Sequence, residues 1–259
     1  MDVHRDFLIA CIAATNAQGV TEYQSRRFST YTGSLRELRD WLLANDCKDV
    51  CMESTGKYWF PVHNILEESC HVVVSHPKFV KAIKGKKTDK KDAQWIADLF
   101  KHDLVRGSFI PPKDIRQLRD LCRYWVKLSS YMTGEKNRAQ NCLTVSNFKL
   151  DDVFSNVFGK SASAITTQLL EHPGEQFDVA PFVDGRCKTP IAQIQEAVDG
   201  IFTYEQAEKL KIIRGHMDSL ERHKAELESL ILEIAQNYLP QIELLLTVPG
   251  IHDAFTAIR

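Results

Sequence analysis

Asp89 and Asp92 stand three residues apart in Lys87-Thr88-Asp89-Lys90-Lys91-Asp92-Ala93, at the start of an expected helix and set among lysines. On a helix that spacing puts both carboxylates on one face. Acids in a first helical turn also complement the macrodipole, and lysines solvate a surface, so this stretch has a purely structural reading too. Two further acids favour chemistry: Asp2, and Glu53, which closes the apolar run Val50-Cys51-Met52. Glutamate is seldom buried without a partner. A cluster of hard oxygen ligands, with neither histidine nor cysteine, suits Mg²⁺ or Mn²⁺ rather than zinc. Two such ions about 3.5 to 4 Å apart can stabilise both the attacking and the leaving oxygen of a phosphodiester displacement.

Composition narrows the class. Hydrophobic content of 44% and charged content of 26% over 259 residues fit a soluble globular chain of one large or two ordinary domains, not a disordered or fibrous one. The net charge of -1 hides a local basic strip, Lys78, Lys81, Lys84, Lys86, Lys87, Lys90 and Lys91, of the kind that binds polyanions. Seven scattered cysteines, no secretory signal and no apolar run long enough to span a bilayer read as a reduced, cytoplasmic protein without membrane contact. Cys47 and Cys51 lack a second ligand pair at zinc-site distance. No His-Glu-x-x-His, phosphate-loop or dinucleotide fingerprint occurs, which removes support for metalloproteases, P-loop enzymes and dinucleotide enzymes.

The elements that must position the acids follow from periodicity. Residues 1–4, 7–14 and 20–28 read as a strand meander, and 34–45 as a helix with Leu35, Leu38, Trp41 and Leu42 at helical spacing. Residues 50–53 then read as a strand, 58–68 as a helix and 70–75 as a strand, before the Asp89 helix with Trp95, Ile96, Leu99 and Phe100 on its inner face. That order is the order of the ribonuclease H-like α/β fold, where chemistry gathers at the carboxyl ends of adjacent strands. Asp2, Glu53, Asp89 and Asp92 would then converge.

Beyond Pro111-Pro112 the pattern changes. Ile115, Leu118, Cys122, Trp125, Ser129, Met132, Lys136, Ala139 and Leu143 alternate steps of three and four, and so do Leu210, Ile213, Met217, Leu220, Lys224, Leu227, Ile231 and Ile234. Sustained heptads predict an α-helical coiled-coil region, paired within one molecule or with a second chain as a homo-oligomer. Thr203 with Gln206 reads as a capping box, and Pro240 as the end of the second helix. Short helices are expected at 161–170 and 191–198. Arg116, Arg119, Arg123, Lys127 and Lys136 read equally as a nucleic-acid face or as solvated flanks. The expected domains are 1–110, 111–240 and the start of another at 241–259.

Asp2-Val3-His4, Glu53-Ser54-Thr55-Gly56-Lys57-Tyr58-Trp59, Lys87 to Ala93 and Val248-Pro249-Gly250-Ile251 together resemble the DEDD transposases of bacterial insertion sequences, the RNA-guided bridge recombinases, which are related to pilin-gene-inverting DNA invertases. The resemblance implies a RuvC-like catalytic domain in which Asp2, Glu53, Asp89 and Asp92 hold Mg²⁺ or Mn²⁺ for DNA cleavage and strand exchange. It also implies DNA and an element-encoded RNA as partners, with Lys57, Lys84, Lys86, Lys87, Lys90 and Lys91 as nucleic-acid contacts and Tyr58 and Trp59 as contacts or packing. Family members carry a C-terminal domain with a catalytic serine, so the chain reads as a C-terminally truncated copy. The alternatives are a non-catalytic remnant that binds nucleic acid or dimerises, and a RuvC-like junction nuclease.

Overall fold

The computed structural model describes residues 1–80, 88–252 and 258, and the protein divides into two compact units, Met1–Pro111 and Pro112–Arg259. Lys81, Lys84, Lys86 and Lys87, four members of the basic strip, lie outside the described residues.

The first unit is mixed α/β. Strands β1 (Asp2–Val3), β2 (Phe7–Thr15) and β3 (Thr21–Ser29) form an antiparallel sheet in that order, with Asp2 opposite Ile9 and Val3 opposite Leu8. Asn16 makes the β2–β3 turn, its Oδ1 accepting from the backbone N–H groups of Gln18 (3.1 Å) and Val20 (2.9 Å), while Gly19 supplies the positive φ of 80°. Helix α1 (Thr32–Ala44) buries Leu35, Leu38 and Leu42 at helical spacing. Strand β4 (Asp49–Glu53) pairs in parallel with β5 (His71–Ser75), joined through α2 (Trp59–Leu66). A short α3 (Pro77–Val80) follows, and α4 (Asp89–Lys101) closes the unit. The amino group of Met1 donates to the carbonyl of Cys51 at 2.7 Å, which sets β1 beside β4.

Pleating decides which side chains face which layer, because successive residues of a strand point to opposite faces. Val3, Leu8, Ala10, Val50, Met52 and Val74 enter the main core with α1 and α2. Cys51 and Val73 point the other way, to a small cluster with Ile96 and Phe100 of α4. Helix α4 therefore covers the second face. It buries Ala93 and Ile96 there, while Trp95, Leu99 and Phe100 are only half-buried. Lys101 pins its end to β2 and β3 by donating to Thr15 and, at 2.7 Å, to Thr21.

The second unit is helical. Helix α5 (Lys113–Val145) is followed by α6 (Leu150–Val153), α7 (Lys160–Glu171) and α8 (Ile191–Ala197), then by α9 (Tyr204–Ala235) and α10 (Leu239–Leu246). Helices α5 and α9 pack antiparallel within the chain: Trp125 Nε1 donates to Glu228 (2.7 Å), His216 Nδ1 lies 3.2 Å from Glu135, and the Tyr238 hydroxyl donates to Asp114. Leu118, Cys122, Leu128, Met132, Leu220, Leu227 and Ile231 fill that seam. A homo-oligomer would need a surface other than these residues, which the chain already covers itself. Residues between the two long helices build a second core around Phe148, Leu150, Ile165 and Ile194.

Three expectations need correction. Lys136 is exposed rather than in the seam, its Nζ 5.6 Å above the Phe158 ring, because the ammonium keeps its water while Ala139, Cys142 and Leu143 fill the interior. Thr203 occupies the N-cap of α9, but its hydroxyl donates to Glu205 at 2.6 Å and no capping box with Gln206 forms. Pro240 opens α10 instead of ending α9, since a first-turn residue needs no N–H partner. Among the described residues no helix is long and apolar enough to cross a membrane.

The seam register is testable. Ile231 is fully buried and Leu232 is 43% exposed. Ile231→Ala is expected to cost about 2 to 4 kcal/mol in denaturant unfolding, and Leu232→Ala less than about 1. Equal losses would contradict the register.

Candidate metal centre

Val3 enters the main core, so its neighbour Asp2 turns to the opposite face of the sheet, the one that α4 covers. Asp2 is only 8% exposed. Helix α4 begins beside it, with Thr88 as N-cap and its hydroxyl oxygen accepting from the Lys91 N–H at 3.4 Å. That cap fixes the first turn, which carries Asp89 and Asp92.

Three side chains meet at this corner. His4 Nε2 lies 3.2 Å from Asp2 Oδ2 and 3.8 Å from Asp89 Oδ1, and one ligand atom from each residue falls within 4.8 Å of the others. Among the described residues this is the one group of three or more His, Cys, Asp or Glu side chains close enough to share an ion. Burial raises the Asp2 carboxyl above its ordinary pKa; His4 opposes the rise by charge and hydrogen bond, and the nearby Asp89 and Asp92 add to it. A carboxylate short of water and facing two more acids is an arrangement that a divalent cation relieves.

Glu53 and Asp92 stand outside that trio. Glu53 shares pleat parity with Cys51, so it projects from the carboxyl end of β4 toward the α4 face, half-buried, with Oε1 accepting from the Thr55 hydroxyl at 3.0 Å. The ladder continues one residue past it, Ser54 N–H donating to Ser75 O at 2.8 Å, and Gly56 (φ 53°) makes the left-handed turn into α2. Asp92 is near enough to act electrostatically on Asp2. Lys57, Lys90 and Lys91 are exposed, whereas Lys84, Lys86 and Lys87 lie outside the described residues. Tyr58 is exposed, but Trp59 is buried and stacked on Phe60 with ring centroids 4.0 Å apart, so its role is packing.

His4 is the residue that sequence reasoning misses. It belongs to the Asp2-Val3-His4 motif without a role of its own there, although two residues of separation near a strand end set two side chains on one face. The side chains that could share an ion are therefore not carboxylates alone.

The family model described as Transposase, for DEDD transposases of the IS110 type, matches residues 1–147. The chain belongs to this family of insertion-sequence transposases, enzymes that act on DNA. No curated protein matches the chain.

The electrostatics of Asp2 give a signed expectation. A carboxyl whose folded pKa is raised binds its proton more tightly when folded, so its ionised form weakens the fold above that pKa and the cost fades as pH falls through it. Without divalent ions, Asp2→Asn is expected to unfold at a higher denaturant concentration than the wild type at pH 7. The difference should shrink toward about pH 4, where an ordinary aspartate is itself half protonated. A less stable variant at pH 7 would contradict this.

Proposed function

We propose that the first unit is the RuvC-like, ribonuclease H-like catalytic domain of an insertion-sequence transposase. In this reading Asp2, Glu53, Asp89 and Asp92 hold Mg²⁺ or Mn²⁺ for cleavage and strand exchange of DNA in the cytoplasm. The carrying observation is the approach of Asp2 and Asp89, from opposite ends of the unit, on the face where the pleat also aims Glu53. The strand order and the Met1–Cys51 hydrogen bond that sets β1 beside β4 support the fold assignment. The residues fit a divalent cation, because a buried carboxylate with raised pKa faces further acids and, among the described residues, no lysine or arginine is paired with it.

When bound, the metal supplies Lewis-acid stabilisation of the oxygens that gain charge during phosphodiester displacement. The chain's own contribution is placement. Strand β1 holds Asp2 with little water around it, the capped turn of α4 presents Asp89 and Asp92, and the end of β4 presents Glu53. Lys57, Lys90 and Lys91 are exposed, and they attract phosphates without reading bases. Sequence choice is delegated to pairing with an element-encoded RNA, which accounts for a site whose basic residues are suited to backbones.

Two measurements test the proposal. Glu53→Gln and Asp89→Asn should each lower Mg²⁺-dependent nicking of plasmid DNA bearing the element's ends by at least about 100-fold; unchanged nicking would refute the assignment. Replacing Lys90 and Lys91 with alanine should flatten the salt dependence of nucleic-acid binding, by about 0.9 in the log–log slope for each duplex phosphate that is no longer neutralised. An unchanged slope would remove both lysines from the interface.

A further inference from the structure

We propose that His4 is a direct metal ligand, its Nε2 joining Asp2 and Asp89 in a mixed nitrogen and oxygen set that favours Mn²⁺ over Mg²⁺. The inference rests on the divalent-cation reading above and adds to it a donor outside the four acids.

Geometry carries it. Two donors held about 2.1 Å from one small ion stand roughly 3 Å apart at right angles and roughly 4.2 Å apart when opposed. The separations from His4 Nε2, 3.2 Å to Asp2 and 3.8 Å to Asp89, lie within that span. The imidazole is also held in place. The His4 backbone N–H donates to the Phe7 carbonyl at 2.9 Å, and the His4 ring packs on the Phe7 ring with centroids 4.7 Å apart. The Arg27 guanidinium lies 4.0 Å above that same phenyl ring. The turn between β1 and β2 thus supports the ring from its outer side and leaves Nε2 directed at the two carboxylates.

Without an ion, Nε2 lies within hydrogen-bond distance of Asp2 Oδ2 at 3.2 Å; a bound cation takes the Nε2 lone pair, and a proton held there passes to water. Imidazole suits transition-metal ions, whereas Mg²⁺ prefers oxygen and keeps its water. Asp2 and Asp89 alone would serve both ions, so the nitrogen is what separates them. The competing account is an imidazole–carboxylate pair on a half-exposed surface, and the experiment distinguishes the two.

Mn²⁺ and Mg²⁺ binding to the full chain is measured by titration calorimetry, and the Mn²⁺ complex by electron spin-echo spectroscopy, for the wild type, His4→Ala and His4→Gln. The expected results are Mn²⁺ binding at least about tenfold tighter than Mg²⁺, and a fall of about 10- to 100-fold in Mn²⁺ affinity in both variants with Mg²⁺ affinity little changed. Nitrogen modulation of the Mn²⁺ signal should be present in the wild type, change on heavy-nitrogen histidine labelling, and vanish in both variants. Mn²⁺ that binds in an Asp2-dependent manner without nitrogen modulation would overturn the role of His4 and leave the carboxylate site standing. Mn²⁺ binding unaffected by Asp2→Asn would overturn both. The wild-type spectrum decides even if a variant fails to fold.

Discussion

A carboxylate taken out of water needs a compensating charge, and the pleat of β1 places Asp2 in that condition. Val3 is held by the main core on one face, which obliges Asp2 to turn to the other, where α4 covers it. Nothing local could reverse this: a slip of one residue would bury the acid in the apolar core and turn valine to the α4 face. The turn that follows brings His4 back toward Asp2, and the capped start of α4 brings Asp89. The rest of the first unit serves to hold these two backbone segments at one corner.

The corner is made of elements rigid for different reasons. Strand β1 is fixed by pairing with β2 and by the Met1–Cys51 bond to β4. Helix α4 is fixed by Ala93 and Ile96 beneath it, by its Thr88 cap and by Lys101 at its far end. Ligands placed on such elements keep their geometry better than ligands on long loops. Each depends on apolar packing remote from the corner, so substitutions in the core would disturb the placement of Asp2 and Asp89 without touching an acid.

Much of this architecture is legible in the sequence, because it rests on periodicities that burial enforces. Leu35, Leu38 and Leu42 mark α1, the alternation along β2 marks the hairpin, and the heptads mark α5 and α9. What escapes is whatever depends on a choice among local partners. A heptad count includes Lys136, although its ammonium stays in water; Thr203 can bond Gln206 or Glu205, and spacing does not decide; Pro240 is compatible with an end or a beginning. At the site, Asp2, Glu53, Asp89 and Asp92 stand out by type and placement. His4 does not, since an isolated histidine near a strand end is ordinary until its ring is seen supported by Phe7 and aimed at two carboxylates.

The central claim is that acids from distant parts of the first unit, with His4 beside them, form one divalent-cation site. Anomalous diffraction from crystals of the chain soaked in Mn²⁺ addresses it most directly. The account predicts an anomalous peak between Asp2 and Asp89, with His4 Nε2 coordinating it and Glu53 and Asp92 facing it. A fully occupied Mn²⁺ peak elsewhere, with nothing between Asp2 and Asp89, would contradict it.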